Sequence, residues 1–228
     1  MRAIIVADGD VRQGPALSLA LARPVEAGSS SPLVVAADGG ALKAISLGLQ
    51  PDLVVGDGDS LAPERIAELR RDGVEVIVHP ADKDESDTEL AVREALARGA
   101  SSVVIVGAFG GARLEHSVAN LLLLTLPELA GLDAALVDGP STARAIGVDG
   151  PGHVLVTGQA GDYVSLLPLS ERVDGVTTEG LRFALRDAAL VQGSTRGLSN
   201  ELLVARGAVH TRSGRLAVIH TFRDSPGG

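Results

Sequence analysis

Carboxylates recur in the first ninety residues of this 228-residue chain, and each group directly follows a short apolar run. The groups are Asp8-Gly9-Asp10, Asp38-Gly39-Gly40, Asp57-Gly58-Asp59-Ser60 and Asp82-Lys83-Asp84-Glu85-Ser86-Asp87. Carboxylates that lie close together repel one another unless a cation lies among them. Hard oxygen ligands suit Mg²⁺, which also binds phosphate oxygens. The sequence therefore predicts a site for a magnesium-bound nucleotide.

Glycines and cationic side chains extend this prediction. Gly107 to Gly111 include no carboxylate and lead to Arg113, which is well placed for a phosphate, and to His116. Glycines let the backbone approach a phosphate closely. Lys83 is one of two lysines beside 18 arginines, and a compact ammonium suits a phosphate as a point charge. The chain has neither the P-loop motif nor the protein-kinase motifs.

Several of these residues also have purely structural explanations. Asp-Gly pairs are ordinary turn formers, which accounts for Asp8 and Asp10. Ser86 and Glu89 have the spacing of a helix capping box. Lys83 fits a solvated loop, and His116 fits the start of a helix equally well. The other histidines show no metal-ligand spacing and are interpreted as structural: His79, His153, His210 and His220.

The elements that would position these groups alternate between strands and helices. Six apolar runs are typical of strands buried on both faces of a parallel sheet: Arg2–Ala7, Leu33–Ala36, Leu53–Gly56, Glu75–His79, Ser102–Val106 and Ala134–Val137. Helices are predicted at Gly40–Leu47, Ala62–Arg71, Thr88–Ala97 and from Arg113 to Leu126. This order predicts an α/β fold with a doubly wound, mainly parallel sheet, whose ligands bind beyond the carboxyl ends of the strands.

The pattern changes at Gly139-Pro140, and the remainder alternates like short antiparallel strands. The strand-like segments are His153–Thr157, Asp162–Leu169, Leu181–Leu185, Glu201–Arg206, Ala208–Arg212 and Arg215–Phe222. We therefore expect an α/β domain at residues 1–140 and an antiparallel β-sandwich at residues 141–228. Glu26–Pro32 is expected to be a loop and Ser225–Gly228 a frayed tail.

Composition narrows the possible partners. The net charge of −9 argues against nucleic acid or an anionic membrane as the main partner. The absence of cysteine excludes disulfides, thiolate zinc sites and cysteine nucleophiles, and it fits a reducing compartment. The first apolar run is too short for a signal peptide, and later runs are too short to span a membrane. A cytoplasmic protein is expected.

The motifs, in this order, resemble those of thiamine pyrophosphokinases over nearly the whole chain. The matching strings are ADGGA (Ala37–Ala41), PDLVVGDGDS (Pro51–Ser60), KDESDTELA (Lys83–Ala91), the Gly110–His116 block with Asn120, SLLPL (Ser165–Leu169), GLRFAL (Gly180–Leu185) and STRGLSNE (Ser194–Glu201). The resemblance implies a homodimer that transfers a pyrophosphoryl group from ATP to the hydroxyl of thiamine, giving AMP and thiamine diphosphate.

The resemblance also implies residue roles. Asp57, Asp59 and Asp84 would hold Mg²⁺, with Lys83 and Asp87 completing the catalytic group. The nucleotide and its phosphates would lie on Asp38, Gly39, Gly110, Gly111, Arg113 and His116. Ser199 and Asn200 would bind thiamine across the dimer interface, with Arg196 in the same string. A base for the thiamine hydroxyl would come from Asp87 or Asp84.

The chain departs from the family's motifs at four places. Gly58 replaces a common phenylalanine, Ala112 is an extra residue, and Glu115 stands where aspartate is commoner. The family often stacks an aromatic on thiamine, yet this chain has no tryptophan. Phe183 is the best substitute by position, although a phenylalanine of the β core is an equal explanation.

Three other functions remain open from the sequence. A related pyrophosphokinase that acts on a hydroxymethylpterin resembles the G-D-x-D-S string but is not expected to carry the S-x-R-G-x-S-N-E string. A phosphatase with an aspartyl nucleophile would match the D-x-D pattern at Asp8 and Asp57, but Arg12 and Leu61 do not fit it. A sensor would bind nucleotide or thiamine without turnover.

Overall fold

The computed structural model describes residues 1–22, 31–150 and 152–223. Most of the predicted loop at Glu26–Pro32 and the tail at Ser225–Gly228 lie outside the described residues. Contacts divide the chain into two compact units. The first contains Met1–Arg12, Leu19–Leu123 and Leu132–Asp138, and the second contains Gln13–Ser18, Leu124–Gly131 and Gly139–Gly228. None of the described helices is long and apolar enough to cross a membrane.

Strands and helices alternate from Arg2 to Asp138. In chain order they are β1 (Arg2–Val6), α1 (Pro15–Ala22), β2 (Leu33–Ala37), α2 (Gly40–Ser46), β3 (Leu53–Gly56), α3 (Pro63–Arg71), β4 (Glu75–Val78), α4 (Asp87–Ala97), β5 (Ser102–Val106), α5 (Leu114–Leu123) and β6 (Asp133–Asp138). The first unit's strands lie in the order β6-β5-β1-β2-β3-β4, and every pairing is parallel. The predicted doubly wound α/β architecture is confirmed.

The order of strands reverses between β1 and β5, which is where open α/β sheets bind ligands. The turns that follow these two strands are joined through their backbones. Gly9 N donates to Gly107 O at 2.8 Å, and Asp10 N donates to Phe109 O at 2.6 Å. Asp10 and Phe109 form an isolated antiparallel bridge, so the two turns pair with each other beyond the parallel register of β1 and β5. The glycine-rich turn after β5 is therefore fixed beside the Asp8–Asp10 turn.

Two helices differ from the expectation. α1 was not predicted, because the segment PALSLALA is apolar almost all round and shows no stripe of helical period. α5 ends at Leu123 rather than at Leu126. Pro127 opens a short 3₁₀ turn, and it disfavours helical backbone angles at the residue before it.

The second unit contains two antiparallel sheets. Its strands are β7 (Ser141–Ile146), β8 (Gly152–Thr157), β9 (Tyr163–Pro168), β10 (Arg172–Glu179), β11 (Ala188–Val191), β12 (Asn200–Glu201), β13 (Arg206–Thr211) and β14 (Leu216–Thr221). One sheet has the order β12-β9-β14-β7, and the other has the order β11-β10-β13-β8. Both sheets contribute to one apolar core, for example through Leu166 and Val218 from the first and Val176 and Val209 from the second. This arrangement is the predicted β-sandwich.

Two predicted strands are wrong. Leu181–Leu185 is a bend with a single bridge at Leu181, and Glu201–Arg206 is regular only at Glu201 and Arg206. In the second segment, successive N–H groups go to different partners: Leu202 N donates to Asp162 O and Leu203 N donates to Gly180 O. A segment that changes partner at every residue forms a corner, although its apolar composition is that of a strand.

Three strands were missed: β7, β10 and β11. β10 carries Asp174, Gly175 and two threonines, and its pairing with β11 is irregular between Val173 and Val176. Only Val173, Val176 and Thr178 of this strand are buried. A strand with such sparse burial gives little hydrophobic alternation, so the sequence pattern does not reveal it.

The buried carboxylate of Asp162 connects the turn before β9 to β14 and to the residues that follow β14. Asp162 is fully buried, and it accepts hydrogen bonds from Gln159 N, Arg223 N and His220 Nε2 at 2.9–3.1 Å. Burial raises the pKa of Asp162, but the two backbone N–H groups and the His220 ring outweigh it and lower the pKa below its ordinary value. The charged form of Asp162 therefore stabilises the fold.

We expect Asp162→Asn to lower the free energy of unfolding by about 3 kcal/mol, because an amide cannot accept all three hydrogen bonds. The native pKa is depressed, so the contribution of Asp162 is present above its unfolded value of about 3.9 and is lost as pH falls through the native pKa. Urea unfolding at several pH values should show a shallower acid limb in the variant. An unchanged acid limb would contradict this assignment.

Candidate active site

A cleft of about 670 Å³ lies at the carboxyl ends of the parallel strands of the first unit. It is lined by the turns after β1, β2, β3, β4 and β5. Its charged and polar lining consists of Asp8, Asp38, Asp57, Asp59, Ser60, Lys83, Asp84, Glu85, Ser86, Asp87, Thr88, Arg113, His116 and Asn120. The sequence prediction that these turns meet at one edge is confirmed.

Three carboxylates converge in the cleft. Asp38, Asp57 and Asp59 each offer an oxygen, and these oxygens lie within 4.8 Å of one another. Asp38 follows β2 and the other two follow the neighbouring strand β3. Ser60 N donates to Asp38 Oδ2 at 3.1 Å, which joins the two turns. A Cβ at Gly56 would lie 2.8 Å from the Asp38 Cβ, so this approach requires glycine at the end of β3.

Asp38 is a buried carboxylate that could serve as a cation ligand. Its side chain is buried, with the residue only 4% exposed, and its Oδ1 has no hydrogen-bond partner. Burial raises the pKa of Asp38, and the charges of nearby carboxylates add to this despite the hydrogen bonds from Ser60. Its backbone φ of 44° is uncommon for a residue other than glycine. A divalent cation would satisfy the free oxygen and remove the repulsion.

Lys83 pairs with two carboxylates, one in the turn after β3 and one at the start of α4. Its Nζ lies 3.5 Å from Asp57 Oδ2 and 3.1 Å from Asp87 Oδ1. Burial lowers the pKa of Lys83, but Asp87 and Asp57 outweigh it and raise the pKa. The pKa of Asp57 is lowered, first by the backbone N–H of Asp59 and then by Lys83. Both groups are therefore charged, and Lys83 is held at the cleft rather than free in a solvated loop.

The N-terminus of α4 lies at the cleft. Ser86 caps this helix by accepting from Glu89 N at 3.2 Å, so the predicted capping interaction is confirmed. Glu89 itself binds Arg93 one turn later. Capping fixes the position of Asp87, the first residue of α4, beside Lys83. The free N–H groups of a helix N-terminus favour a nearby anion such as a phosphate.

The turn after β5 supplies the opposite wall. Gly110 and Gly111 both have positive φ, at 79° and 76°, and a Cβ at Gly110 would collide with the Asp10 carboxylate. Asn120 Nδ2 donates to Ala108 O at 2.8 Å, which anchors the turn to α5. Arg113 and His116 are exposed at the rim, where Arg113 Nε bonds Glu115 Oε1 at 2.7 Å. Gly58 also has positive φ, at 78°.

The sequence pattern explains Asp8 as a turn former and indicates no role for Lys43, but the two residues form an ion pair at the turn after β1. Asp8 lines the cleft, and its carboxylate would lie 2.7 Å from a Cβ at Gly39. Lys43 from α2 lies 3.0 Å from Asp8 Oδ1 and also donates to the backbone carbonyls of Asp8 and Gly9. An Asp-Gly turn signal alone gives no sign of this anchoring.

Asp84 lies in the cleft but apart from the three-carboxylate cluster. It is exposed and lines the same cavity as Asp57 and Asp59. Among the residues that the structure describes, the only group of three or more such ligands within 4.8 Å contains Asp38 in its place. Asp38 was predicted for nucleotide binding, so the cluster suggests a different third ligand for the metal.

The four residues predicted for thiamine lie in the second unit. Asn200 is buried, and its amide group bonds both the N–H and the carbonyl of Phe183, at 2.9 and 2.8 Å. Phe183 is 62% exposed, which excludes the explanation that it is a core phenylalanine. Arg196 and Ser199 are also exposed, and Ser199 N donates to Ser165 Oγ at 3.0 Å. Asn200 thus presents Phe183 to solvent.

Comparisons with known proteins agree in both halves of the chain. Residues 26–133 match the family described as thiamin pyrophosphokinase, catalytic domain, and residues 152–216 match thiamin pyrophosphokinase, vitamin B1 binding domain. The thiamine pyrophosphokinase of Bacillus subtilis is 27% identical over 190 residues, covering 83% of this chain and 87% of that protein.

Solved structures extend the similarity to the whole chain. The crystal structure of the Bacillus subtilis enzyme has a TM-score of 0.80 at 25% identity, covering 98% of this chain and 100% of that one. The crystal structure of thiamin pyrophosphokinase from Geobacillus thermodenitrificans has a TM-score of 0.77 at 30% identity, covering 99% of each chain. The chain belongs to the thiamine pyrophosphokinase family.

Proposed function

We propose that this protein transfers a pyrophosphoryl group from ATP to the hydroxyl of thiamine, giving thiamine diphosphate and AMP. The convergence of Asp38, Asp57 and Asp59 beside Lys83 carries this proposal, because it provides a cation site and a positive charge in one cleft. Family membership supports the choice of thiamine as the acceptor.

The carboxylate cluster fits Mg²⁺, since its ligands are all oxygens and one of them, Asp38 Oδ1, is buried without a partner. We propose Asp38, Asp57 and Asp59 as its first ligands, with Asp84 reaching it directly or through water. Bound Mg²⁺ would neutralise phosphate oxygens and the charge that develops on them.

The remaining cleft residues would bind and align ATP. The backbone of Gly39, Gly110 and Gly111 is open to close approach by phosphates, and Arg113 and His116 at the rim supply charge and a hydrogen-bond donor. Lys83 is already oriented by two carboxylates, so little conformational entropy is lost when a phosphate binds it. Alignment and charge neutralisation are the main contributions of a protein to phosphoryl transfer.

In the reaction, the thiamine hydroxyl oxygen forms a bond to the β-phosphorus of ATP. The bond from that phosphorus to the oxygen shared with the α-phosphate breaks, and this oxygen leaves as part of AMP. The hydroxyl proton passes to a carboxylate and then to water. Asp87 and Asp84 are the candidates for this step, and full turnover by Asp87→Asn would exclude Asp87.

We propose that residues 1–140 carry ATP binding and catalysis, and that residues 141–228 carry thiamine binding and dimer formation in a cytoplasmic homodimer. The matched descriptions of the two halves support the division of roles. Phe183, Arg196, Ser199 and Asn200 would contribute to the thiamine site. Phe183 is favoured as the stacking aromatic because its ring is exposed and Asn200 holds its backbone.

An acceptor comparison tests the function. The protein is incubated with ATP and Mg²⁺, and either thiamine or a hydroxymethylpterin, and AMP release is followed. We expect AMP with thiamine and none above background with the pterin. AMP with the pterin alone would overturn the proposal. Binding of ATP and thiamine without AMP release would indicate a sensor.

We expect Lys83→Met to lower kcat/KM for ATP by about 10²-fold, because the substitution leaves Asp57 and Asp87 without their shared counter-charge and removes a phosphate ligand. Lys83→Arg should retain part of the activity. The matched control is Arg65→Met, which breaks a surface ion pair with Glu68 on α3. Equal losses in the Lys83→Met variant and this control would contradict the role of Lys83.

A further inference from the structure

Two histidines lie side by side on neighbouring strands of the second sheet of the β-sandwich. His153 on β8 and His210 on β13 are direct partners in the antiparallel register. Their rings are stacked, with centroids 5.7 Å apart and planes inclined by only 13°. The two residues are 57 positions apart in sequence, so sequence spacing gives no sign of the pair.

The pair lies on the solvent face of this sheet. Side chains alternate between the two faces of a strand, and Val156 on β8 and Val209 on β13 point into the core. His153 is accordingly exposed and His210 half-buried. Leu155, which shares the face with His153, is 66% exposed. Both imidazoles are therefore accessible to solutes.

We propose that His153 and His210 form a binding site for a borderline divalent transition-metal ion such as Zn²⁺, Ni²⁺ or Cu²⁺. Neutral imidazole suits these ions, whereas Mg²⁺ prefers oxygen ligands. This site is distinct in position and in ligand type from the carboxylate cleft, and it does not depend on the proposed function.

The spacing of the rings is compatible with a shared ion. A tetrahedral ion with metal–nitrogen bonds of about 2.0–2.1 Å would hold two imidazole centroids roughly 5 Å apart. The observed 5.7 Å requires a small approach, together with rotation about the soft χ2 torsions so that one nitrogen of each ring meets the ion. Water would complete the coordination, since among the described residues the pair is not part of any group of three His, Cys, Asp or Glu ligands that lie within 4.8 Å of one another.

Such an ion would join an edge strand to its neighbour. β8 is at the end of the order β11-β10-β13-β8, so it pairs within this sheet only with β13. A ligand that binds the folded state and not the unfolded state raises the free energy of unfolding by RT ln(1 + L/Kd), where L is the free ligand concentration. Metal binding at the pair would therefore protect this edge from opening.

The test is a Ni²⁺ titration of the untagged full-length protein, followed by calorimetry and by the visible absorption of the bound ion. Excess Mg²⁺ is present so that the carboxylate cleft does not contribute. We expect one Ni²⁺ per chain and a higher Tm with Ni²⁺. His153→Asn and His210→Asn should each weaken Ni²⁺ binding by about tenfold or more and remove the Tm increase.

Leu155→Ala is the matched control, because it changes the same exposed face without removing a nitrogen ligand. It should bind Ni²⁺ like the unsubstituted protein. Absence of Ni²⁺ binding by the unsubstituted protein would overturn the proposal, as would binding that both histidine variants retain. Unfolding without metal shows whether each variant is folded, so loss of binding is distinguishable from loss of structure.

Discussion

The variant Asp57→Asn should remain folded and lose kcat/KM by about 10³-fold. Asparagine keeps an oxygen that can accept the backbone N–H of Asp59, an interaction of 3.1 Å, so the turn after β3 is retained. The substitution removes one charge from the proposed magnesium site and one of the two carboxylate partners of Lys83. Steady-state kinetics with varied ATP, at saturating thiamine and at several Mg²⁺ concentrations, measures the loss of kcat/KM for ATP.

Two further variants make this result specific. Asp72→Asn lies at the C-terminus of α3 outside the cleft, and it should leave kcat/KM unchanged. Asp84→Asn should reduce kcat/KM less than Asp57→Asn does, because Asp84 lies outside the three-carboxylate cluster. If Asp57→Asn keeps more than a tenth of the activity, the cluster is not the metal site of the reaction.

The second large effect is a trade between activity and stability at Asp38. We expect Asp38→Asn to lower kcat/KM by about 10²-fold or more and to raise the metal-free stability by about 1 kcal/mol. For a chain of this size, 1 kcal/mol corresponds to a rise in Tm of about 2–4 °C. The reason is that Asp38 is a buried carboxylate with one unpartnered oxygen, so its charge costs the folded state free energy.

The sign follows from the raised pKa of Asp38. A carboxyl whose native pKa exceeds its unfolded value binds its proton more tightly in the folded state. The charged carboxylate lowers the free energy of unfolding, and this cost is largest at neutral pH. The cost decreases as pH falls through the native pKa, because the carboxyl becomes protonated. Asparagine removes this dependence, so the difference in Tm between the two proteins should shrink on acidification.

Calorimetry with and without Mg²⁺ and ATP checks this explanation. The unsubstituted protein should gain Tm from the ligands, whereas Asp38→Asn should gain much less, because one proposed ligand of the cation is gone. A lower metal-free Tm in Asp38→Asn, or an equal gain from Mg²⁺ and ATP, would contradict the assignment of Asp38 to the metal.

The sequence predicts the first unit well because its signals are local. β5 was predicted with its observed bounds, and the Ser86 cap follows from a four-residue spacing. The convergence of the acidic turns also follows, since parallel strands present their carboxyl ends at one edge. Sequence patterns do not indicate how deeply each carboxylate is buried. They therefore do not reveal that Asp38 is buried beside Asp57 and Asp59 while Asp84 is exposed.

The errors in the second unit have a different cause. The segment Leu181–Leu185 has the composition of a strand, but the Asn200 amide bonds the Phe183 backbone in place of a neighbouring strand. The pairing of His153 with His210 depends on the register of β8 and β13. Both features depend on residues distant in sequence, which local patterns do not specify.

The most direct test of the central claim is a product analysis. The protein and Asp57→Asn are incubated in parallel with ATP, Mg²⁺ and thiamine, and AMP, ADP and the thiamine phosphates are separated and quantified. We predict AMP and thiamine diphosphate in equal amounts, with both lost in Asp57→Asn. ADP with thiamine monophosphate, or equal product formation by the two proteins, would contradict pyrophosphoryl transfer at this cleft.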